Sequence, residues 1–142
     1  MSEISFYTGV AERLPYVCRL LRKAQLSGAR LTVLAPSGLL DRLDRVLWEF
    51  EPTEFVPHAR LRAGSPWPWA SRTPIWLVDR LQEHPRRDVL LNLGMEMPEG
   101  FDAFARVLEV VATEPEQVEA GRQRFRQYKQ LGHVVQHHVV NA

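Results

Sequence analysis

The chain has 142 residues, 45% of them hydrophobic and 25% charged, an ordinary globular composition. That length buries roughly two thirds of the surface an unfolded chain exposes, without covalent staples. A net charge of +1 excludes a strongly basic footprint over the whole chain, and the single cysteine, Cys18, excludes an intramolecular disulfide or a cysteine-rich metal site.

The start, MSEISFYTG, lacks the basic-then-apolar signature of a secretory signal, and no apolar run reaches the roughly 18 residues that span a bilayer. These features predict a soluble, cytoplasmic protein. Ile4 to Tyr7 is β-branched and aromatic and predicts a strand. After Thr8-Gly9, Leu14, Val17, Cys18, Leu21 and Ala24 recur at helical spacing, with Pro15 in the first turn and Gly28 as the stop. Leu31 to Ala35 is nearly continuous apolar sequence, as in a strand covered on both faces. Pro36-Ser37-Gly38 is a turn in which Ser37 caps the next helix.

That helix runs to Phe50. At about 100° per residue, Leu39, Leu43, Leu47 and Phe50 share a stripe roughly 80° wide, and Trp48 falls about 140° from Leu43. Residues 59–74, ARLRAGSPWPWASRTP, read as a loop. Ile75 to Val78, Val89 to Leu93 and Val107 to Ala112 predict strands, with the acidic turn MEMPEGFD between the last two. Glu114 to Leu131 is the longest helix, with Pro115 in its first turn and Gly132 beyond its end. Residues 133–142 form an edge strand or a tail. The expectation is one α/β domain over residues 1–142, Rossmann-like, with a mostly parallel sheet and helices on both faces.

Signatures of chemistry are sparse. The first strand-to-helix turn carries one glycine, which does not make GxGxxG, and GxxxxGK[ST], GxSxG and HExxH do not occur. His137 and His138 are adjacent, so in a strand they point to opposite faces and do not share a metal; a solvated tail is the plainer reading. Cys18 lies on an apolar helix face, as a buried thiol does. No cofactor, metal or catalytic residue is expected; the competing reading is a nucleotide- or small-molecule-binding enzyme on the same scaffold.

Surface features are richer. On the last helix Val118, Phe125 and Tyr128 share one face, and Arg122, Arg126 and Lys129 line up about 100° from it. Cations beside aromatic edges suit an acidic peptide with an apolar end; a solvated basic face near a helix C-terminus is the plainer alternative. Trp48 lies off its helix stripe, beneath the 59–74 loop or awaiting a ligand. Phe55-Val56-Pro57 reads equally as core or as a surface facing another chain.

Taken together, ISFY, RLDRVLWEFEPTEFVPH, RRDVLLNL and RQRFRQYKQLG resemble the chi subunit of bacterial DNA polymerase III, from about residue 4 to 132. The most specific pieces are Leu47-Trp48 with Phe55 to His58, and Arg122 to Lys129; the Trp67-Pro68-Trp69 loop and everything after Gly132 match poorly. The resemblance implies a Rossmann-like fold without a nucleotide, no catalysis, and a place in the clamp-loader assembly. It implies two partners, the psi subunit and the acidic tail of single-stranded DNA-binding protein (SSB), which ends in aspartate and phenylalanine. DNA contact would be indirect, through SSB. By position, Arg122 and Arg126 would hold carboxylates, while Phe125, Tyr128 and Trp48 would line or flank the pocket for the terminal ring. Phe55, Val56, Pro57 and His58 would face psi, a surface the family also offers to an accessory helicase. Val118 stands where family members can carry a lysine, which implies either weaker binding of the tail or compensation by Arg124 or Lys129.

Overall fold

The computed structural model describes residues 2–49, 56–61, 73–81 and 88–140. Phe50, Phe55 and the Trp67-Pro68-Trp69 loop lie outside the described residues. Among them, in chain order, are β1 (Glu3–Val10), α1 (Arg13–Leu26), β2 (Leu31–Leu34), α2 (Ser37–Glu49), β3 (His58–Arg60), β4 (Ile75–Val78), β5 (Val89–Asn92), β6 (Arg106–Ala112), α3 (Pro115–Gln130) and β7 (Val134–Val139). The strands form one sheet in the order β3-β4-β2-β5-β6-β1-β7, and every pairing in it is parallel.

Direction of travel along this sheet decides where the helices go. Crossovers between parallel strands keep one hand, so reversing the direction moves the helix to the other face. α1 and α2 carry the chain toward the β3 edge; α3 carries it from β6 past β1 to β7. On one face Val17, Cys18 and Leu21 of α1 and Leu40, Leu43 and Leu47 of α2 pack on Leu31, Val33, Leu77, Leu91 and Val110. On the other, Tyr128 of α3 with Phe101 and Phe104 packs on Ile4, Phe6, Leu90, Val107 and Val111. All four residues of β4 are buried, which explains its unbroken apolar sequence IWLV. Each such side chain contributes roughly 1.5–3 kcal/mol, and truncating a central one such as Leu43 to alanine costs about 2–5 kcal/mol.

Several local expectations change. β1 continues through Gly9 to Val10, and its register with β6 shifts between Tyr7 and Val10. Gly9 has φ +76°, and a Cβ there would lie 2.7 Å from the Val140 carbonyl oxygen, so only glycine lets β1 pass the end of β7. The 59–74 loop begins inside a strand, because β3 pairs His58, Ala59 and Arg60 with β4; three residues are too few to show a period. Ser37 is the first helical residue: the Pro36 carbonyl accepts from Leu40 N, and the Ser37 hydroxyl donates to Asp79. Residues 134–139 form the edge strand, not a tail, held by β1 from Glu3 to Thr8.

Candidate functional site

α3 is set by its two ends. Pro115 opens it, where a missing N–H leaves no bond unmade. At its far end Gly132 takes φ +86°, its N–H donating to the Lys129 carbonyl while His133 N donates to that of Tyr128. This paired closure turns the chain back along β1 as β7. Gly121 presses the helix onto β6: a Cβ there would lie 3.0 Å from Val111 Cγ2.

The close approach leaves a groove of about 590 Å³ beside α3, at the β1–β7 edge of the sheet. Its floor is Phe6, Thr8, Gly9, Val111 and His137, and its helical wall is Val118, Gly121, Arg122, Phe125 and Arg126. Phe6 and Phe125 meet edge to face at 5.3 Å, and His137 lies 6.1 Å from Phe125. His137 Nε2 and Thr8 Oγ1 are 2.6 Å apart across the two strands. Arg122 and Arg126 are exposed, and neither forms an ion pair with a described residue. No carboxylate lines the groove, so among the described residues its charge is cationic. An anion with an apolar end meets guanidiniums at the rim and rings within.

The structure therefore brings Val118, Arg122, Phe125 and Arg126 together. Lys129 stands next to them, its ammonium 5.3 Å from the Phe125 ring centroid. Tyr128 faces the core with no exposed surface, below α3. Its hydroxyl donates to Glu109 Oε2 at 2.7 Å. Arg124 cannot compensate for Val118: it is 4% exposed, its Nε donating to Glu109 Oε1 at 3.1 Å and its NH1 group to the Met95 carbonyl. Asn92 donates to the same carboxylate and to the Glu96 carbonyl, so the network ties β5, β6, α3 and the 95–96 turn together. Burial pushes the Glu109 carboxyl up, against the pull of Arg124 and the hydrogen bonds from Asn92 and Tyr128. Burial, with Glu109 adding to it, raises the Tyr128 phenol too and keeps it a donor. Sequence reasoning passed over this network; its signal was a lone glutamate inside the apolar strand VLEVVA.

Trp48 is elsewhere. It sits at the end of α2, at the β3 edge and far from the α3 groove, 63% exposed, with its ring 5.5 Å from His58. His58 is anchored on both sides, with Nδ1 2.7 Å from the Val56 carbonyl and Nε2 2.8 Å from Asp44. Val56 is buried and Pro57 half-buried. Trp48 is thus exposed at the opposite end of the sheet, with Pro57 half-buried, whereas Val56 and the His58 side chain, each 1% exposed, belong to the packing there and not to an open partner-facing surface.

The described residues thus define a protein of the all-parallel α/β class, with a cationic groove at one sheet edge and an exposed tryptophan at the other. The sequence profile described as DNA polymerase III chi subunit, HolC, matches residues 1–136, and the chain belongs to that family. It is similar to the DNA polymerase III subunit chi of Pseudomonas aeruginosa, with 32% identity covering 97% of this chain and 96% of that protein. It is also similar to the subunits chi of Haemophilus influenzae, at 29% over 81% of this chain and 78% of that one, and of Escherichia coli, at 28% over 82% and 78%. The chain is thus a replication accessory subunit. Among the described residues no helix is long and apolar enough to cross a membrane.

Proposed function

We propose that this chain is a non-catalytic adaptor that holds the acidic C-terminal tail of SSB in the α3 groove and docks psi at the β3 edge. The observation that carries the first half is the placement of Arg122 and Arg126, exposed and without an ion pair to any described residue, at the rim of a groove lined by Phe6 and Phe125. A tail ending in aspartate and phenylalanine supplies carboxylates to the guanidiniums and a phenyl ring to the hollow. Magnitudes rank the two parts: burying the ring is worth roughly 1.5–3 kcal/mol, whereas an exposed ion pair adds about 0.2–1 kcal/mol. The apolar end therefore dominates affinity and the arginines set direction. The second half is supported by Trp48, exposed at the β3 edge, and by half-buried Pro57, with Phe55 close by in sequence; Val56 and the His58 ring are buried and support this edge without presenting area to a partner.

Isothermal calorimetry with a peptide carrying the SSB tail tests the groove. Arg122→Glu should weaken binding by about 0.5–2 kcal/mol, since it removes an exposed ion pair and adds a repulsion of similar size. A peptide lacking its last phenylalanine should lose at least as much. Unchanged affinity in both cases removes the groove assignment. For the other surface, Phe55→Ala should leave folding intact and lose psi on co-purification; retained psi refutes it.

A further inference from the structure

A second groove, of about 540 Å³, lies on the opposite face of the sheet, between α1 and strands β1, β5 and β6. Its charged lining is also cationic: Arg19 and Lys23, one turn apart on α1, and Arg106 at the start of β6. All three are exposed, and none forms an ion pair with a described residue; Glu3, beside Arg106 in register, is not paired with it. Tyr7 and Tyr16 also line this groove, ring centroids 6.5 Å apart, and the Arg19 guanidinium lies 5.9 Å from the Tyr16 centroid. The sequence explains this concentration of charge. From residue 13 to residue 40 the chain has Arg13, Arg19, Arg22, Lys23 and Arg30 and not one aspartate or glutamate. α2 and α3 mix both signs, so a chain of near-neutral net charge carries one helix of a single sign.

We propose that this groove binds a segment of single-stranded nucleic acid, with phosphates on Arg19, Lys23 and Arg106 and a base against Tyr7 and Tyr16. Arg19 and Lys23 stand about 6 Å apart along the helix axis, a step comparable to that between phosphates of an extended strand. Aromatic side chains accept the flat face of any base, so the site needs no sequence code. An acidic peptide without aromatic residues would satisfy the cations but bring nothing flat to the tyrosines, and one with an aromatic end brings a single ring; a nucleic-acid strand brings a phosphate and a base at every step, which suits a row of cations beside two rings. The groove is on the far face of the sheet from Arg122, so both sites can be filled at once.

Fluorescence anisotropy of a labelled oligothymidylate, titrated with the full chain in the absence of SSB, tests this. The wild type should bind with an affinity that falls with salt, by a log–log slope of about −0.7 per phosphate contacted. The double change Arg19→Glu with Lys23→Glu should lower affinity about tenfold or more and flatten the slope by roughly 1.4, two contacts' worth. Tyr16→Leu, which keeps the apolar packing, should lower affinity while leaving the slope in place, and Arg122→Glu should bind as the wild type does. The exposed positions of Arg19 and Lys23 let circular dichroism verify that the variants fold. Absence of wild-type binding overturns the proposal, as does equal binding by the charge-reversed variant. Displacement of the oligonucleotide by oligoglutamate at equal concentration overturns it too, making the ligand an acidic polypeptide.

Discussion

The hydroxyl of Tyr128 donates to Glu109 at 2.7 Å beneath α3, where neither side chain has exposed surface. This bond, with those from Arg124 and Asn92, converts a buried carboxylate from a liability into the point at which α3 is fixed over β6. Tyr128→Phe should therefore destabilise by about 1.5–3 kcal/mol, the range for a hydrogen bond to a charged group, and Arg124→Met by about 3–5 kcal/mol, because it strands the carboxylate. Urea denaturation measures both; losses under half a kilocalorie would show the network to be dispensable.

The same carboxylate gives a pH signature. Burial holds Glu109 above its ordinary 4.5 in the folded chain. The folded state then binds the proton more tightly than the unfolded state, so this contribution is complete below the unfolded value and is lost as pH rises through the folded one. Wild type should lose stability relative to Glu109→Gln as pH climbs above 4.5, and parallel stability curves for the two proteins would contradict this.

Gly121 sets the depth of the α3 groove. In an open helix, glycine to alanine gains about 1 kcal/mol, but here the new methyl meets Val111, a β-branched residue held in a strand, at 3.0 and 3.2 Å. Overpacking of about 1–3 kcal/mol outweighs the gain. Gly121→Ala should lower the melting temperature and weaken the tail peptide together; a rise in stability would mean that α3 lifts freely.

Val118 lines the groove four residues before Arg122. Val118→Lys places a third cation on that wall, and should tighten an acidic tail by about 0.2–1 kcal/mol at low ionic strength, an advantage that shrinks as salt is added. Calorimetry at two salt concentrations separates this from a change in ring burial, which salt leaves in place.

Cys18 should behave as core. Burial pushes its thiol up to about 11, so hardly any thiolate exists at neutral pH. A thiol reagent should leave the native chain unmodified and react fully in urea; rapid native labelling would show that α1 opens.

Much of this architecture could be read from residues alone. The apolar runs at Leu31–Leu34 and Ile75–Val78 report burial on both faces, and Pro115 and Gly132 bracket α3 to within a residue or two. Both signals are local and so survive in sequence. Arg122, Phe125 and Arg126 were legible as neighbours because one helix fixes their spacing. What stayed hidden depended on strand order. Helical spacing sets Arg124 apart from the rim arginines and in line with Tyr128, but nothing local shows that its partner Glu109 is on a distant strand, nor that Phe6 and His137 meet under α3. Trp48 was grouped with the wrong surface for the same reason: helical angle tells which way a ring leaves its helix, not which edge of the sheet that helix covers.

β1 lies between β6 and β7, so Glu3 is matched with both Arg106 and Val134. Folding kinetics inherit this. Closing contacts so distant in sequence requires large loop entropy to be lost before the pairing repays it, which slows the search for the native state. An α3 formed before that pairing presents its arginines but has no hollow beneath them, because the hollow's floor is shared among β1, β6 and β7, the first strand and the last two in sequence. Competence to hold a ligand at this edge therefore requires the long-range pairing of β1 with β6 and β7, and α3 without it offers cations alone.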